Sequence, residues 1–367
     1  MMNNWGWFFL ALLLALSACG IARAQTIAAG TPVQFADLGD FKLQSGAVIR
    51  NLRIGYRTFG NLDANRSNAI LWPTYLGGRT DDLLSYVGPG NVADTGKYYV
   101  ILVESIGNGV SSSPSNSKLQ PLAKFPEFSI RDMVESEYLL ATKALHLTHL
   151  RAVMGISMGG MQTFAWAVTH PDFMDTAIPM AGSPVSTSYD KLLWTLDIEA
   201  MELDPAWHHG KPTRPLKQGM VLAAGIESMA LTSPAFRVAH TSPQDFDAFL
   251  ADLKKNAHAD AGATYNQIRQ RQALIALDLP AELGVSLEEA AKRVRAKMLV
   301  FVPRQDHMVN PEPAVQFANA IGAPVVELDS PCGHLSFTCI SVGPTVSQFL
   351  ADPSSVHNQT LRGTASQ

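Results

Sequence analysis

One stretch constrains the fold more than any other part of the chain. The apolar run 150–154 leads directly into Gly155-Ile156-Ser157-Met158-Gly159. This pentapeptide fits the G-x-S-x-G pattern of a nucleophile elbow, in which a serine occupies a strained turn between a strand and a helix. Strand and helix approach that closely only where the flanking side chains are absent, which is why the glycines matter. The preceding run is strand-like and residues 161–167 are helical in character, so we predict that Ser157 is a nucleophile. A purely structural turn is the alternative.

Strand-like and helical segments alternate along most of the chain. Compact apolar runs predict buried strands at residues 69–72, 98–103, 150–154, 176–180, 297–302 and 325–328. Helical spacing between them predicts an α/β fold with a doubly wound, mostly parallel sheet. Residues 31–60 alternate between apolar and polar around glycine-containing turns, which predicts antiparallel strands at one edge of that sheet.

Residues 184–296 carry no strand signal. Helical stretches follow one another at 190–203, 217–231, 244–257, 265–277 and 286–296. An insertion of this length between two core strands predicts a helical cap that covers the serine. The predicted organisation is a core formed by residues 31–183 and 297–350, a cap at 184–296, and a polar, disordered tail at 351–367.

Residues 1–24 have the character of a signal peptide. The apolar run 5–16 has signal-peptide length and is too short to span a bilayer comfortably. Ala22-Arg23-Ala24 fits ordinary signal cleavage, whereas Leu16-Ser17-Ala18-Cys19 resembles a bacterial lipobox that would leave Cys19 lipidated. The first four residues contain no Lys or Arg, which departs from both patterns. We expect an exported protein, periplasmic or secreted, which cleavage at the lipobox would leave lipid-anchored through Cys19. A retained N-terminal anchor is the alternative.

Charge and cysteine usage narrow the possible ligands. The formal net charge of -4 argues against a nucleic-acid partner. Cys332 and Cys339 remain after cleavage, and in an oxidising compartment they could pair around His334. Two free thiols are the interpretation we prefer. No metal-binding spacing is present, His208 and His209 are expected at the surface, and we predict neither a metal nor a cofactor.

A serine nucleophile needs a base, and the base needs an acid that holds its tautomer. In folds of this kind the acid follows the serine in the chain and the histidine comes last. His334 lies in the loop after the last predicted strand, where that histidine belongs. Asp306 follows the strand at 297–302 and matches the usual acid position, whereas Asp329 is better placed as a turn or cap residue. We predict a triad of Ser157, Asp306 and His334.

A glycine-containing loop follows the strand at 69–72. In it, Thr74-Tyr75-Leu76-Gly77-Gly78 would point backbone N–H groups at the nucleophile. We predict an oxyanion hole formed by the N–H of Met158 together with that of Tyr75 or Leu76. A plain strand-to-helix connection is the alternative.

With these residues in place, the chain from about residue 41 to 350 resembles the homoserine O-acetyltransferase family of α/β-hydrolase-fold acyltransferases. The matching stretches are Gly60-Asn-Leu-Asp-Ala, Gly88-Pro-Gly90, Asp94-Thr-Gly-Lys-Tyr98, Phe125-Pro126, Ser129-Ile-Arg-Asp-Met-Val134, Ser157-Met-Gly-Gly-Met-Gln162, Asp306 and Gly333-His334. The resemblance implies that Ser157 accepts an acyl group with the help of Asp306 and His334. It also implies a homodimer formed through the cap.

Two departures from the family pattern concern the substrate. Members that acetylate homoserine carry an aspartate directly after the histidine and an arginine in a cap helix; here those positions are Leu335 and, by our alignment, Ala224. Each lost charge-assisted contact is worth on the order of a few kcal/mol in a closed site. We therefore predict an exported serine-dependent acyl hydrolase of small-molecule esters. An O-acyltransferase is the first alternative, and a catalytically silent cell-envelope binding protein is the second.

Overall fold

The strands form one mixed sheet in the computed structural model, which describes residues 31–364. Within that range the sheet has ten strands in the order β1-β2-β4-β3-β5-β6-β8-β9-β10, and β7 pairs with β6. Their bounds are β1 Gln34–Lys42, β2 Val48–Phe59, β3 Ala69–Pro73, β4 Tyr99–Val103, β5 Leu150–Ile156, β6 Met174–Met180, β7 Lys297–Met298, β8 Val300–Pro303, β9 Val325–Asp329 and β10 Gln359–Arg362.

Strand direction changes only at one edge of the sheet. β1 pairs antiparallel with β2, and β2 pairs antiparallel with β4, whereas every other pairing is parallel. The predicted doubly wound, mostly parallel sheet with antiparallel edge strands is therefore confirmed. Because parallel strands present their carboxyl ends at one edge, the loops after β3, β5, β8 and β9 are brought together there.

Twelve α-helices connect and cover these strands among the described residues. They are α1 Ile130–Leu139, α2 Met158–Thr169, α3 Ser188–Glu202, α4 Gln218–Leu231, α5 Pro234–His240, α6 Phe246–Asn256, α7 Ala261–Ala276, α8 Leu279–Leu283, α9 Leu287–Ala291, α10 Glu312–Ala320, α11 Ser336–Cys339 and α12 Gly343–Ala351. None of them is by itself long and apolar enough to cross a membrane, although α4 and α5, which meet at a bend of 105°, pass that test together by length and composition.

Two hydrophobic clusters cover the two faces of the sheet. On β3, Leu71 belongs to one cluster, whereas Ile70 and Trp72 belong to the other, and all three are fully buried. This alternation follows from the two-residue period of a strand. Near-continuous apolar runs such as that of β3 are therefore needed to cover both faces of a sheet between helices.

Between β6 and β7, where the whole segment is described, the elements are the helices α3 to α9. They enclose a hydrophobic cluster of their own, which includes Trp207, Met220 and Tyr265. Hydrogen bonds join this segment to the rest of the chain: the Ser233 N–H donates to the Pro331 carbonyl at 3.1 Å, and Arg269 Nε donates to the Phe125 carbonyl at 2.9 Å. The division into core and cap remains our prediction.

Two short helices in this segment were not predicted. α5 and α8 begin after Ser233 and Asp278, whose side chains accept the N–H groups of Phe236 and Ala281. A capping side chain followed by proline sets a helix start without any long apolar period, so periodicity alone misses such helices. The helix predicted at 286–296 is limited to Leu287–Ala291.

The C-terminal region differs from the prediction in three respects. The predicted disordered tail is wrong for Gln359–Arg362, which forms β10 and pairs in parallel with β9. The last helix, which we predict from the sequence at 336–350, is interrupted between α11 and α12, and Cys332 and Cys339 form a disulfide rather than two free thiols. A single turn of 3₁₀-helix at Gly333–Leu335 leads into the short α11, which brings the two cysteine Cα atoms to 6.5 Å. The signal segment 1–24, Cys19 and residues 365–367 lie outside the described residues.

Candidate active site

Ser157 lies at the turn between β5 and α2, in a backbone conformation that residues other than glycine rarely adopt. Its φ and ψ are 58° and -122°. A Cβ on Gly155 would lie 2.4 Å from the backbone of Gly159, and a Cβ on Gly159 would lie 2.7 Å from the Pro73 carbonyl oxygen. Both distances are below contact, so only glycine fits at either position. The strained backbone turns the serine outward at the carboxyl edge of the sheet.

The structure brings together all three residues predicted as a triad. Ser157 Oγ lies 2.9 Å from His334 Nε2, and His334 Nδ1 lies 2.7 Å from Asp306 Oδ2. The histidine and the aspartate are buried, while Ser157 is partly exposed. With the Nδ1–H donating to Asp306, Nε2 is the acceptor for the serine hydroxyl. This tautomer is the one that allows the imidazole to remove the serine proton.

Asp306 is held by the loop that follows β8. Its Oδ1 accepts the backbone N–H groups of Met308 and Val309 at 2.8 and 2.9 Å, which leaves Oδ2 directed at His334. Asp329, the weaker candidate, lies instead 3.8 Å from Arg304 and 3.6 Å from Arg362. Among the carboxylates of the described residues, Asp306 is therefore the one paired with the histidine.

The loop after β3 is anchored to the elbow helix by residues beyond the predicted set. Gln162 Nε2 donates to the Thr74 carbonyl at 3.1 Å, and Gln162 Oε1 accepts the Ser105 hydroxyl at 3.2 Å. The Ser105 N–H also donates to Thr74 Oγ1 at 3.0 Å. Gln162 belongs to the Ser157–Gln162 motif of the sequence. Its role as an anchor follows only from the folded position of the loop after β3. These contacts fix the start of the predicted oxyanion loop beside α2.

The residues predicted to supply the oxyanion donors lie in two places, the start of α2 and the turn after β3. Met158 is the first residue of α2, and Tyr75 and Leu76 occupy the turn after β3. In that turn the Gly78 N–H donates to the Tyr75 carbonyl at 2.9 Å, and Gly77 has a φ of 66°. The Gly77 N–H donates to Gln270 Oε1 at 2.8 Å. The N–H groups of both glycines are therefore already engaged within the protein. The assignment of the Met158 N–H with that of Tyr75 or Leu76 remains a prediction.

Ionisable groups behind this loop are shifted toward their neutral forms. Burial raises the pKa of the Tyr75 phenol well above its ordinary value, with the Asp82 carboxylate adding to the shift. Burial also raises the pKa of Glu104, which accepts the hydroxyl of Thr80 at 2.6 Å and the side-chain amide of Asn108 at 2.6 Å. The Tyr75 side chain therefore stays protonated at neutral pH and cannot supply a phenolate to the site.

The positions that would hold an amino-acid substrate carry no charge. Leu335 is partly buried beside His334, and Ala224 is buried within the hydrophobic cluster of α3 to α7. One arginine is buried in that helical segment: Arg271, whose side chain is only 2% exposed. Its guanidinium donates to Asp197 at 3.1 Å and to Glu227 and Gln267. Because all three partners come from the protein, Arg271 is not available as a carboxylate clamp.

Residues 31–364 contain no group of three or more His, Cys, Asp and Glu side chains arranged to hold a metal ion. His208 and His209 are exposed, and they line a cleft of about 690 Å³ together with Trp207 and Tyr265. A second cleft of about 470 Å³ lies against Gly77. Ser157, Asp306 and His334 do not line either cleft, so the candidate active site is identified by the geometry of these three residues and not by cleft size.

Comparison with known proteins gives relatives of two kinds. A family model described as alpha/beta hydrolase fold matches residues 85–338. The ethyl acetate hydrolase of Pseudomonas veronii is 34% identical over 201 residues, which are 54% of this chain and 56% of that protein. A probable esterase of Corynebacterium glutamicum is 36% identical over 183 residues, 49% of this chain and 52% of that protein. The chain thus spans about half the length of these two relatives.

The alignment with the second kind of relative is longer. The homoserine O-acetyltransferase of Geotalea daltonii is 31% identical over 336 residues, which are 81% of this chain and 90% of that protein. Among solved structures, an acetylester hydrolase from Corynebacterium glutamicum matches with a TM-score of 0.78 at 26% identity, covering 89% of this chain and 96% of that chain. Hydrolases and transferases are therefore both represented among its relatives.

Proposed function

The chain belongs to the α/β-hydrolase fold family, in which it is similar to homoserine O-acetyltransferases and to esterases, and we propose that it is an exported serine-dependent acyl hydrolase of small-molecule esters. The fold and the family resemblance predicted from the motifs are confirmed. The observation that carries the proposal is the hydrogen-bonded sequence from Ser157 through His334 to Asp306. A binding protein would have no need for that arrangement.

The proposed mechanism follows from the direction of these hydrogen bonds. Ser157 Oγ attacks the ester carbonyl carbon while His334 Nε2 takes the hydroxyl proton, and Asp306 stabilises the imidazolium that forms. The carbonyl oxygen becomes an oxyanion, which the N–H of Met158 and that of Tyr75 or Leu76 would stabilise. The tetrahedral intermediate then collapses: the bond from the acyl carbon to the alcohol oxygen breaks, that oxygen takes the proton from Nε2, and the acyl group stays on Ser157 Oγ. Water, deprotonated by His334, then releases the acid and restores the serine.

Hydrolysis is preferred over transfer because the positions that would bind an amino-acid acceptor carry no charge. Leu335 and Ala224 supply no charge for a zwitterionic acceptor, and the guanidinium of Arg271 is fully engaged. A site that cannot pair a substrate's charges selects poorly for that substrate. The names of the relatives in Pseudomonas veronii and Corynebacterium glutamicum support the same choice. An O-acyltransferase with an alcohol acceptor is the second candidate, favoured by the longer alignment with the Geotalea daltonii protein.

The decisive experiment compares esters with acetyl-CoA. Purified protein is assayed on p-nitrophenyl esters of increasing acyl length, and in parallel on acetyl-CoA with and without homoserine. We expect ester cleavage that falls by at least about 10³-fold in Ser157→Ala, with the surface variant Ser354→Ala unchanged. Thiol release that depends on homoserine would establish the transferase instead. Failure of Ser157 to react with a serine-directed phosphonate would favour the silent binding protein.

Export and assembly are further parts of the proposal. Cell fractionation after expression of the full chain should place the activity in the periplasm or medium, and loss of lipid labelling in Cys19→Ala would identify a lipidated N-terminus. The proposed homodimer through the cap is supported by exposed apolar side chains in the segment from α3 to α5, such as Leu203, Met229 and Val238. Light scattering should give twice the monomer mass, and a monomer at micromolar concentration would contradict it.

A further inference from the structure

The loop after β3 is held at its two ends by different parts of the molecule. Its start at Thr74 is held by Gln162 of the elbow helix and by Ser105, as described above. Its end at Gly77 is held by Gln270 of α7, which lies 193 residues further along the chain: the Gly77 N–H donates to Gln270 Oε1 at 2.8 Å. The segment between these anchors contains Tyr75 and Leu76.

Gln270 makes a second contact with the core. Its Nε2 donates to the Ile106 carbonyl at 3.1 Å, in the loop that follows β4, and its side chain is 1% exposed. A single buried amide therefore uses its acceptor on one strand-end loop and its donor on the neighbouring one. Both ends of an amide are satisfied only when the two loops hold one relative position, because the amide plane is rigid.

The end of the loop has a polar contact on each side. Asn108, in the loop after β4, donates its Nδ2 to the Gly78 carbonyl at 3.1 Å, whereas Gln270 of α7 supplies the acceptor for the Gly77 N–H. The cleft of about 470 Å³ opens here, between Gly77, the turn at Gly107 and Gly109, and the start of α7. Gln267, one turn before Gln270, approaches so closely that a Cβ on Gly77 would lie 2.9 Å from its Nε2. Gly77 thus lies between this cleft and α7, and α7 supplies the acceptor for its N–H.

We propose that Gln270 is a positioning residue for the oxyanion hole. By holding Gly77, it fixes the orientation of the peptide groups of Tyr75 and Leu76 relative to Ser157. Gln270 acts through the loop and has no contact with the reacting atoms. The inference rests on the proposed function, since it concerns the transition state of acyl transfer to Ser157. The proposal gives α7 a role in the chemical step, in addition to its predicted place in the cap.

The test separates an effect on the transition state from an effect on substrate binding or folding. In Gln270→Ala, kcat for p-nitrophenyl acetate should fall about 10- to 100-fold while KM changes less than about threefold, because a small displacement of oxyanion donors weakens only the transition state. Inhibition by a trifluoromethyl ketone, whose adduct with serine carries the same oxyanion, should weaken by a similar factor. Gln270→Glu keeps an acceptor for the Gly77 N–H and should recover part of the lost kcat.

The matched control is Gln272→Ala on the same helix, whose side chain bonds to Arg269 and not to the loop; its kcat should stay within about twofold of wild type. If Gln270→Ala does not fold, Gln270→Met keeps the side-chain length without the polar atoms and carries the same expectation. An active wild type with an unchanged kcat in these variants, or with a rise in KM alone, would overturn this inference. A wild type without Ser157-dependent ester cleavage would overturn the proposed function, and this inference with it.

Discussion

Ser157 and Arg271 belong to two regions that are held in place in opposite ways. Around Ser157, position is set by the backbone: β5 and α2 meet at Gly155 and Gly159, where a side chain would collide with neighbouring backbone atoms. Around Arg271, position is set by side chains: its guanidinium joins Asp197 of α3 and Glu227 of α4. Burial raises the pKa of Asp197, and the charge of Arg271 opposes that rise.

The difference indicates that the turn that carries Ser157 and the helices α3 to α7 can change independently of each other. A serine held by backbone geometry keeps its position whatever the side chains of α3 to α7 become, provided that the oxyanion loop stays in place. Helices that are held together by a buried ion network depend on each member of that network, since removing one partner leaves an uncompensated charge. Gln270 is the residue at which we propose that the two regions meet. The comparison predicts that triad variants lose activity without losing stability, and that variants of the ion network lose stability.

The largest expected effect is on activity, in Asp306→Asn. The asparagine Oδ1 can still accept from Met308 and Val309, so its NH₂ group faces His334 Nδ1 and stabilises the wrong tautomer. We expect kcat to fall by roughly 10³- to 10⁴-fold, measured on p-nitrophenyl acetate, with unfolding free energy changed by less than about 1 kcal/mol. Asp329→Asn, at the surface pair with Arg304 and Arg362, is the control. Retained activity would remove Asp306 from the triad.

The next effect is on stability, in Arg271→Met. Asp197 is buried and would lose the Nε–H donor that lies 3.1 Å away. We expect a loss of about 3–5 kcal/mol in urea unfolding, because a buried carboxylate is left unpaired. The triple variant Asp197→Leu, Glu227→Gln, Arg271→Met should recover most of that loss. Arg295→Met breaks a pair with Asp172 whose side chains are both about 70% exposed, and should cost no more than about 1 kcal/mol. Equal costs for Arg271 and Arg295 would break the comparison.

A smaller effect concerns a buried acid on the core side. Glu137 of α1 accepts the indole N–H of Trp166 at 2.7 Å, and burial raises the pKa of Glu137 from its ordinary 4.5 to about 8. The folded protein therefore holds this proton more tightly than the unfolded chain does. The stabilising contribution is complete below pH 4.5 and is lost as the pH rises toward 8.

Glu137→Gln should remove this pH dependence. As the pH rises from 5 to 8, the unfolding free energy of wild type should fall by roughly 2–4 kcal/mol relative to that of the variant. Urea unfolding at several pH values measures the difference, and Glu288→Gln, at an exposed pair with Lys292, should follow wild type. Parallel pH curves for wild type and Glu137→Gln would show that the carboxyl group is ionised in the folded protein. The core would then bury a charge, as the helices α3 to α7 do at Arg271.

The sequence alone determined the elements whose signals are local. The glycines flanking Ser157, the apolar run of β3 and the alternation of strands with helices each reflect short-range sterics or burial, and together they predicted the parallel sheet. Chain order then placed Asp306 and His334, because the ends of parallel strands meet at one edge. The contacts at 2.9 and 2.7 Å agree with that placement.

Only the tertiary structure decided which distant groups meet. Nothing near Gln270 in the chain indicates that its partner is Gly77, and nothing near Arg271 selects Asp197 and Glu227 over solvent. The same holds for β10. Its polar sequence has no strand pattern, and it forms a strand because β9 presents unpaired backbone groups at the edge of the sheet. The Cys332–Cys339 bond likewise depended on the turn between them. Such contacts are fixed by packing across the whole molecule, because a hydrogen bond or ion pair gains its energy only when burial excludes water from both partners.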